Sequence, residues 1–296
     1  MRLIPLAIVL ILLPTPTFAW NGTGHKVIAT IAYRQLDPQT RQKIAELLKK
    51  HPAYVDLWAV HADNGGNAAL SLFWDASIFP DVARREPWKK YDRSTEHYVN
   101  FRIMAEEGNK VEPPLDGENV LNSYVAHVRS MTDPKTSDTD KALHLSWIFH
   151  QAGDIHQPLH AVARFSKAIP EGDRGGNEVG FPSARGIGNL HSYWDSLLGR
   201  AEDPAELEKL ADAIVAEHPK DGLAAELAKM NISDWAQESV SLSLSTVYRN
   251  LDPNIRRFAD RPIGYEADAV RVARKRIALA GYRLGEELRR AVNPGK

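Results

Sequence analysis

The sequence predicts an all-α protein built as a single helical domain over residues 20–296, followed from a separate leader at 1–19. Three observations carry this. Apolar residues recur at three- and four-residue steps through most of the chain, strand-like alternation is scarce, and neither a repeat nor a Ser/Gly linker divides the sequence.

The elements follow in order. Segment 24–33 carries Val27, Ile28 and Ile31 on one stripe, and 38–50 carries Ile44, Leu47 and Leu48. Asp37-Pro38 reads as an N-cap followed by a proline at the first helical position. Segments 120–131 and 141–153 are two further helices, the second with Leu143, Ile148 and Phe149 on its apolar face. Segments 189–198, 204–217, 223–230, 233–248 and 263–292 complete the helical set. The Gly-rich stretch 172–188 is read as a short hairpin around 179–181 or a long loop. Pro113-Pro114 and 132–139 are turns or loops.

Composition bounds the chemistry. The 296 residues are 43% hydrophobic and 25% charged, a globular mix that excludes wholesale disorder. Lys+Arg 37 against Asp+Glu 38 gives a net charge of -1, so bulk charge cannot hold a polyanion; the positive charge must be local or imported as metal ions. The absence of cysteine excludes disulfides, thiolate–zinc sites, iron–sulfur clusters and a cysteine nucleophile. Residues 1–19 begin with Arg2, run apolar from Leu3 to Leu13, and end in Thr17-Phe18-Ala19. That is the pattern of a secretory signal peptide cut after Ala19, too short for a membrane anchor. It implies a secreted or periplasmic protein beginning at Trp20, with no stable membrane association.

Several histidines and aspartates fall into a pattern. His150 and Asp154 lie four apart on a predicted helix, as do His191 and Asp195. His160 follows the turn Gln157-Pro158-Leu159, His97 and Asp81 lie upstream, and His25 sits near the new N-terminus. One such i,i+4 pair is ordinarily a surface contact worth about 0.2–0.5 kcal/mol. Two pairs, with a histidine in a proline turn and no cysteine anywhere, point toward imidazole–carboxylate metal sites. His51, His61, His127 and His144 are read as ordinary structural histidines, and the tryptophans after Trp20 as core or site walls, with Trp58, Trp74 and Trp88, outside the metal motifs, left open between core and surface.

The whole string is more specific than its parts. Trp20-Asn21-Gly22-Thr23-Gly24-His25, the segment Ala76–Asp81, and His97-Tyr98-Val99-Asn100 stand in order before His150-Gln151-Ala152-Gly153-Asp154-Ile155-His156-Gln157-Pro158-Leu159-His160. Asp173-Arg174-Gly175-Gly176-Asn177, Asn189-Leu190-His191-Ser192-Tyr193-Trp194-Asp195 and Ala280-Gly281-Tyr282-Arg283-Leu284 follow. Across 20–291 this resembles the S1/P1 nucleases, zinc-dependent single-strand-specific enzymes related in fold to zinc phospholipase C.

The resemblance implies three zinc ions. One would take Asp81, His97, His150 and an oxygen of Asp154. A second would take the α-amino group and carbonyl of Trp20, with His25 and the other Asp154 oxygen. The third would take His160, His191 and Asp195. Asp154 is then the bridging carboxylate, with a metal-activated water as nucleophile. Tyr98, Asn100, Gly175 and Asn177 fall where the family binds a base. The implied activity is endonucleolytic hydrolysis of single-stranded DNA and RNA to 5′-phosphate products, with 3′-nucleotidase activity on nucleotides, by a monomer.

The chain departs from the fungal members at Tyr98, where they carry Phe, and at Asn100, where they carry Asp, which leaves base preference open. Their cysteines are also missing. Zinc phospholipase C is the alternative reading, but its last ligand is Glu where this chain has Asp195, and it lacks the Gly-Gly-Asn segment. A non-catalytic zinc carrier would have no use for Tyr98 or Asn177.

Overall fold

A computed structural model of the chain describes residues 20–62, 67–183 and 186–293; the expected leader lies outside them. The chain runs through α1 (Gly22–Gln35), α2 (Pro38–Leu48), the short α3 (Ala59–Ala62), α4 (Ala68–Val82), α5 (Val120–Thr132) and α6 (Asp138–Asp154). It continues through α7 (Leu190–Asp195), α8 (Pro204–Glu217), α9 (Ala224–Leu227), α10 (Ile232–Leu242) and α11 (Tyr265–Val292). The architecture is the mostly helical one expected, and among the described residues no helix is long and apolar enough to cross a membrane.

Local chemistry sets the helix starts. The Asp37 carboxylate accepts from the Thr40 N–H ahead of Pro38, as the dipeptide predicts. Asn21 caps α1, Ser137 caps α6, and Asn189 makes a capping box with Ser192 at α7. The stretch 233–248 is less regular than expected: α10 gives way at Leu242 to a π-turn over Ser243–Val247.

Helices α1, α4, α6 and α11 form the centre. Gly281 and Gly285, four apart on α11, permit its close crossing with α1. A Cβ at Gly281 would stand 2.5 Å from the Ile31 Cβ and 3.2 Å from the Ile28 carbonyl. All seven tryptophans are buried, Trp58, Trp74 and Trp88 included. Behind α6, Arg276 and Arg283 of α11 share Glu238. Arg283 also donates to His156 Nε2 at 2.8 Å, which leaves His156 Nδ1–H to donate to the Ala152 carbonyl at 2.7 Å. This network clamps the C-terminal turn of α6.

Two features differ from expectation. Helix α4, with Pro80 inside it, was not among the predicted helices. Proline there forfeits its own N–H bond to the preceding turn, but the helix ends two residues later, so little of it remains beyond the break to be redirected. Sheet structure is also richer: β1 (Phe101–Met104) pairs antiparallel with β2 (Lys110–Glu112) and parallel with β3 (Val162–Phe165). The expected hairpin is present as β4 (Gly180–Ser183) and β5 (Gly186–Asn189).

The α1–α11 crossing yields a prediction. Helix propensity favours alanine over glycine, but Gly281→Ala is expected to lower stability by about 1–3 kcal/mol because the added methyl meets a backbone carbonyl as well as a side chain. Urea unfolding measures this; equal or greater stability would contradict the packing argument.

Candidate metal centre

Four helices and two 3-10 turns deliver the predicted ligands to one place. Helix α1 carries His25, α4 carries Asp81, α6 carries His150 and Asp154, and α7 carries His191 and Asp195. His97 and His160 end the 3-10 turns Ser94–His97 and Pro158–His160, just before β1 and β3. The parallel β1–β3 pairing sets their register: Val99 N–H donates to the His160 carbonyl at 2.8 Å, and His160 Nδ1–H to the His97 carbonyl at 2.7 Å.

The donor atoms converge in three groups, each within 4.8 Å: His25, His150 and Asp154; Asp81, His97 and His150; and His160, His191 and Asp195. All eight side chains are buried. Asp154 stands between the first two groups. Its Oδ1 is 3.3 Å from His25 Nε2, while its Oδ2 is 3.0 Å from His97 Nδ1 and 3.4 Å from His150 Nε2. His25 and His150 stack at 4.1 Å, and Gly153 leaves the room, since a Cβ there would lie 2.7 Å from His25 Nδ1.

Backbone carbonyls fix the tautomers. His150 Nδ1–H donates to the Ser77 carbonyl at 2.8 Å and His191 Nδ1–H to that of Gly175 at 2.7 Å, as His160 does to His97. In the third group the two Nε2 atoms are therefore lone-pair acceptors facing each other at 3.1 Å, with Asp195 Oδ2 3.6 Å from His191 Nε2. Three electron pairs converge there with no proton of their own. Asp81 Oδ1, Asp154 Oδ1, Asp195 Oδ2 and His25 Nε2 are likewise buried without a hydrogen-bond partner. Such orphans are costly unless a cation takes them up, so the donor set fits divalent metal ions.

Burial drives the electrostatics in the same direction. It lowers the His25 imidazole to about 3 and His191 to about 4, and takes His150 and His160 well below their usual value; all stay neutral ligands. Burial lifts Asp154 to about 6, and Asp81 and Asp195 well above the ordinary carboxylate range. Carboxylates held this way take protons unless cations replace them.

The remaining predicted residues divide. Trp20 is buried at the mouth of α1, and the next N–H, from Asn21, donates to the Asp195 carbonyl at 3.0 Å. Tyr98 is 39% exposed beside His97, and Asn100 is half-buried. Gly175 has φ +64 and is buried; a side chain there would collide with the Leu159 carbonyl, and its own carbonyl holds His191. Asn177 is half-buried, its Nδ2 donating to the Arg174 carbonyl. Sequence reading missed Arg84, whose guanidinium lies 3.4 Å from Asp81 Oδ1; the Asp81–Arg84 i,i+3 spacing was its signal. It also missed that Gln157 donates to Asp195 Oδ1 at 2.8 Å.

Comparison with known proteins points to one family. The family model described as S1/P1 Nuclease matches residues 20–293. Endonuclease 4 of Arabidopsis thaliana is 24% identical over 297 residues, spanning 92% of this chain and 88% of its own. Endonuclease 2 of that plant is 25% identical over 228 residues, with 74% and 66% covered. Its Endonuclease 3 is 23% identical over 302 residues, with 96% and 92% covered.

Gln157 supports one group twice, donating to Asp195 Oδ1 and accepting from the Leu159 N–H at 2.6 Å in the turn that carries His160. Gln157→Leu frees Asp195 from its orienting partner and is expected to weaken metal at the His160–His191–Asp195 group by about 10–100-fold. Metal analysis across a chelator titration reads this. Unchanged metal retention would show that Gln157 has no part in holding the carboxylate.

Proposed function

This chain belongs to the S1/P1 nuclease family, and we propose that it is a zinc-dependent endonuclease that hydrolyses single-stranded DNA and RNA to 5′-phosphate products, with 3′-nucleotidase activity on nucleotides. The observation that carries this is Asp154, one carboxylate whose two oxygens face two different imidazole groups. That is the layout of a bridging ligand in a multi-metal hydrolase.

Zinc suits a donor set of imidazole nitrogen and carboxylate oxygen without sulfur. Three zinc ions would be held by Asp81, His97, His150 and Asp154; by His25, Asp154 and the freed amine and carbonyl of Trp20; and by His160, His191 and Asp195. Bound there, zinc supplies positive charge to a phosphodiester and lowers the pKa of a coordinated water toward neutrality. The protein contributes the positioning: Ser77, His97 and Gly175 carbonyls keep three imidazoles in the ligating tautomer. Arg84 adds a fixed positive charge next to Asp81, which would favour a phosphate that gains negative charge during attack.

Single-strand preference rests on Tyr98, whose exposed ring beside His97 offers a stacking face that a base inside a duplex cannot reach. Asn100 and Asn177 supply amides for a base edge, and Gly175 keeps the Asn177 segment close to the ligand His191. The Trp20 amine makes activity depend on removal of 1–19, in keeping with a secreted or periplasmic monomer.

Two assays test the reading. Mature protein with zinc is expected to degrade single-stranded DNA and RNA faster than duplex and to leave phosphatidylcholine intact; hydrolysis of the lipid alone would make it a phospholipase C. Protein carrying extra residues before Trp20 is expected to lose activity and the one zinc assigned to Trp20, His25 and Asp154. Full activity and full zinc content in that extended form would rule out the terminal amine as a ligand.

A further inference from the structure

A second cavity borders the metal centre and shares Asp81 with it. It measures about 440 Å3 and lies between the start of α1, the end of α4 and the segment that follows α7. Its apolar wall is Ile78 and Val82. Three cations surround it: Lys26 from the first turns of α1, Arg85 just past α4, and Arg200. Glu202 is the one lining carboxylate other than Asp81, which the metal centre occupies.

Neither Lys26 nor Arg200 is held in an ion pair among the described residues. Asp75, within electrostatic reach of Lys26, is already engaged by His61 at 2.9 Å. The wall that carries Arg200 is anchored through its backbone. Asn21 Nδ2 donates to the Gly199 carbonyl at 2.7 Å, Thr23 Oγ1 to the Ala201 carbonyl at 3.2 Å, and Ala201 N–H to Thr23 Oγ1 at 2.8 Å. Like charges held around one gap by a fixed backbone favour an anion between them.

We infer that this cavity is a subsite for a phosphodiester flanking the one that is cut, its phosphate between Lys26, Arg85 and Arg200 and its sugar against Ile78 and Val82. The inference rests on the nuclease reading above and deepens it. A flanking phosphate is present in an oligonucleotide and absent from a small aryl diester, so the subsite gives a preference for polymer. Such local positive charge suits a chain whose net charge of -1 gives no general attraction for a polyanion.

The test compares zinc-loaded wild type with the double variant Lys26→Ala/Arg200→Ala on a single-stranded oligonucleotide and on bis(p-nitrophenyl) phosphate. The ratio of kcat/KM for the oligonucleotide over that for the small diester is expected to fall about tenfold, chiefly through KM for the oligonucleotide. The dependence of log kcat/KM on log salt for the oligonucleotide should become shallower by about 1.4, roughly 0.7 for each lost contact to a single strand. Arg200→Glu should shift the ratio in the same direction. A ratio and salt slope equal to wild type in both variants overturn the subsite while leaving the nuclease intact. A wild type that cuts the small diester but no oligonucleotide, or cuts neither, overturns the nuclease reading and the subsite with it, before any variant is compared.

Discussion

The structure depends on one unfavourable arrangement: acceptor atoms packed against acceptor atoms in a dry interior. Imidazole lone pairs and carboxylate oxygens within 4.8 Å of one another, all buried, repel unless positive charge lies among them. Water cannot screen them, and because burial holds the imidazoles neutral, protons reach only the carboxylates and leave the nitrogen lone pairs unmatched. The surrounding protein is built to tolerate that repulsion. The α1–α11 crossing at Gly281, the Arg283–His156 clamp behind α6 and the β1–β3 register each fix an element that carries ligands. A less rigid frame would let the donors swing away to water.

Much of this was legible in the sequence because helical periodicity and i,i+4 spacing are local signals. His150 with Asp154 and His191 with Asp195 could be placed on helix faces directly, and Asp37-Pro38 marked the start of α2. What escaped was of two kinds. Short strands leave little pattern: β1 and β3 have four residues each, and β3, nearly all buried, shows no alternation. Helix α4 was not among the segments marked as helical, and it carries Pro80, a residue that ordinarily breaks a helix, in its last turn. Helix α4 holds Asp81 and leads to Arg84, so a local misreading hid the origin of one ligand and of the cation beside it.

Carbonyl groups had no sequence signal at all, since every residue has one. Yet the carbonyls of Ser77, His97 and Gly175 decide which nitrogen of three histidines faces the centre. Gly175 shows how such a role becomes visible only in three dimensions. Its place in a Gly-Gly-Asn segment pointed to the substrate, while its burial and positive φ also make it the anchor of a ligand. Residue type names the donors, and chain geometry sets how they are aimed.

The bond from the Asn21 N–H to the Asp195 carbonyl, with Asn21 and Thr23 fastened to Gly199 and Ala201, has a consequence for the order of assembly. A ribosome delivers Trp20 well before Asp195, by on the order of ten to thirty seconds at about 5–20 residues per second. The earliest part of the domain to be made is thus among the last to find its seat. Through that interval the segment from Trp20 to Thr23 has no berth, and it stays open to solvent until the middle of the polypeptide arrives to receive it.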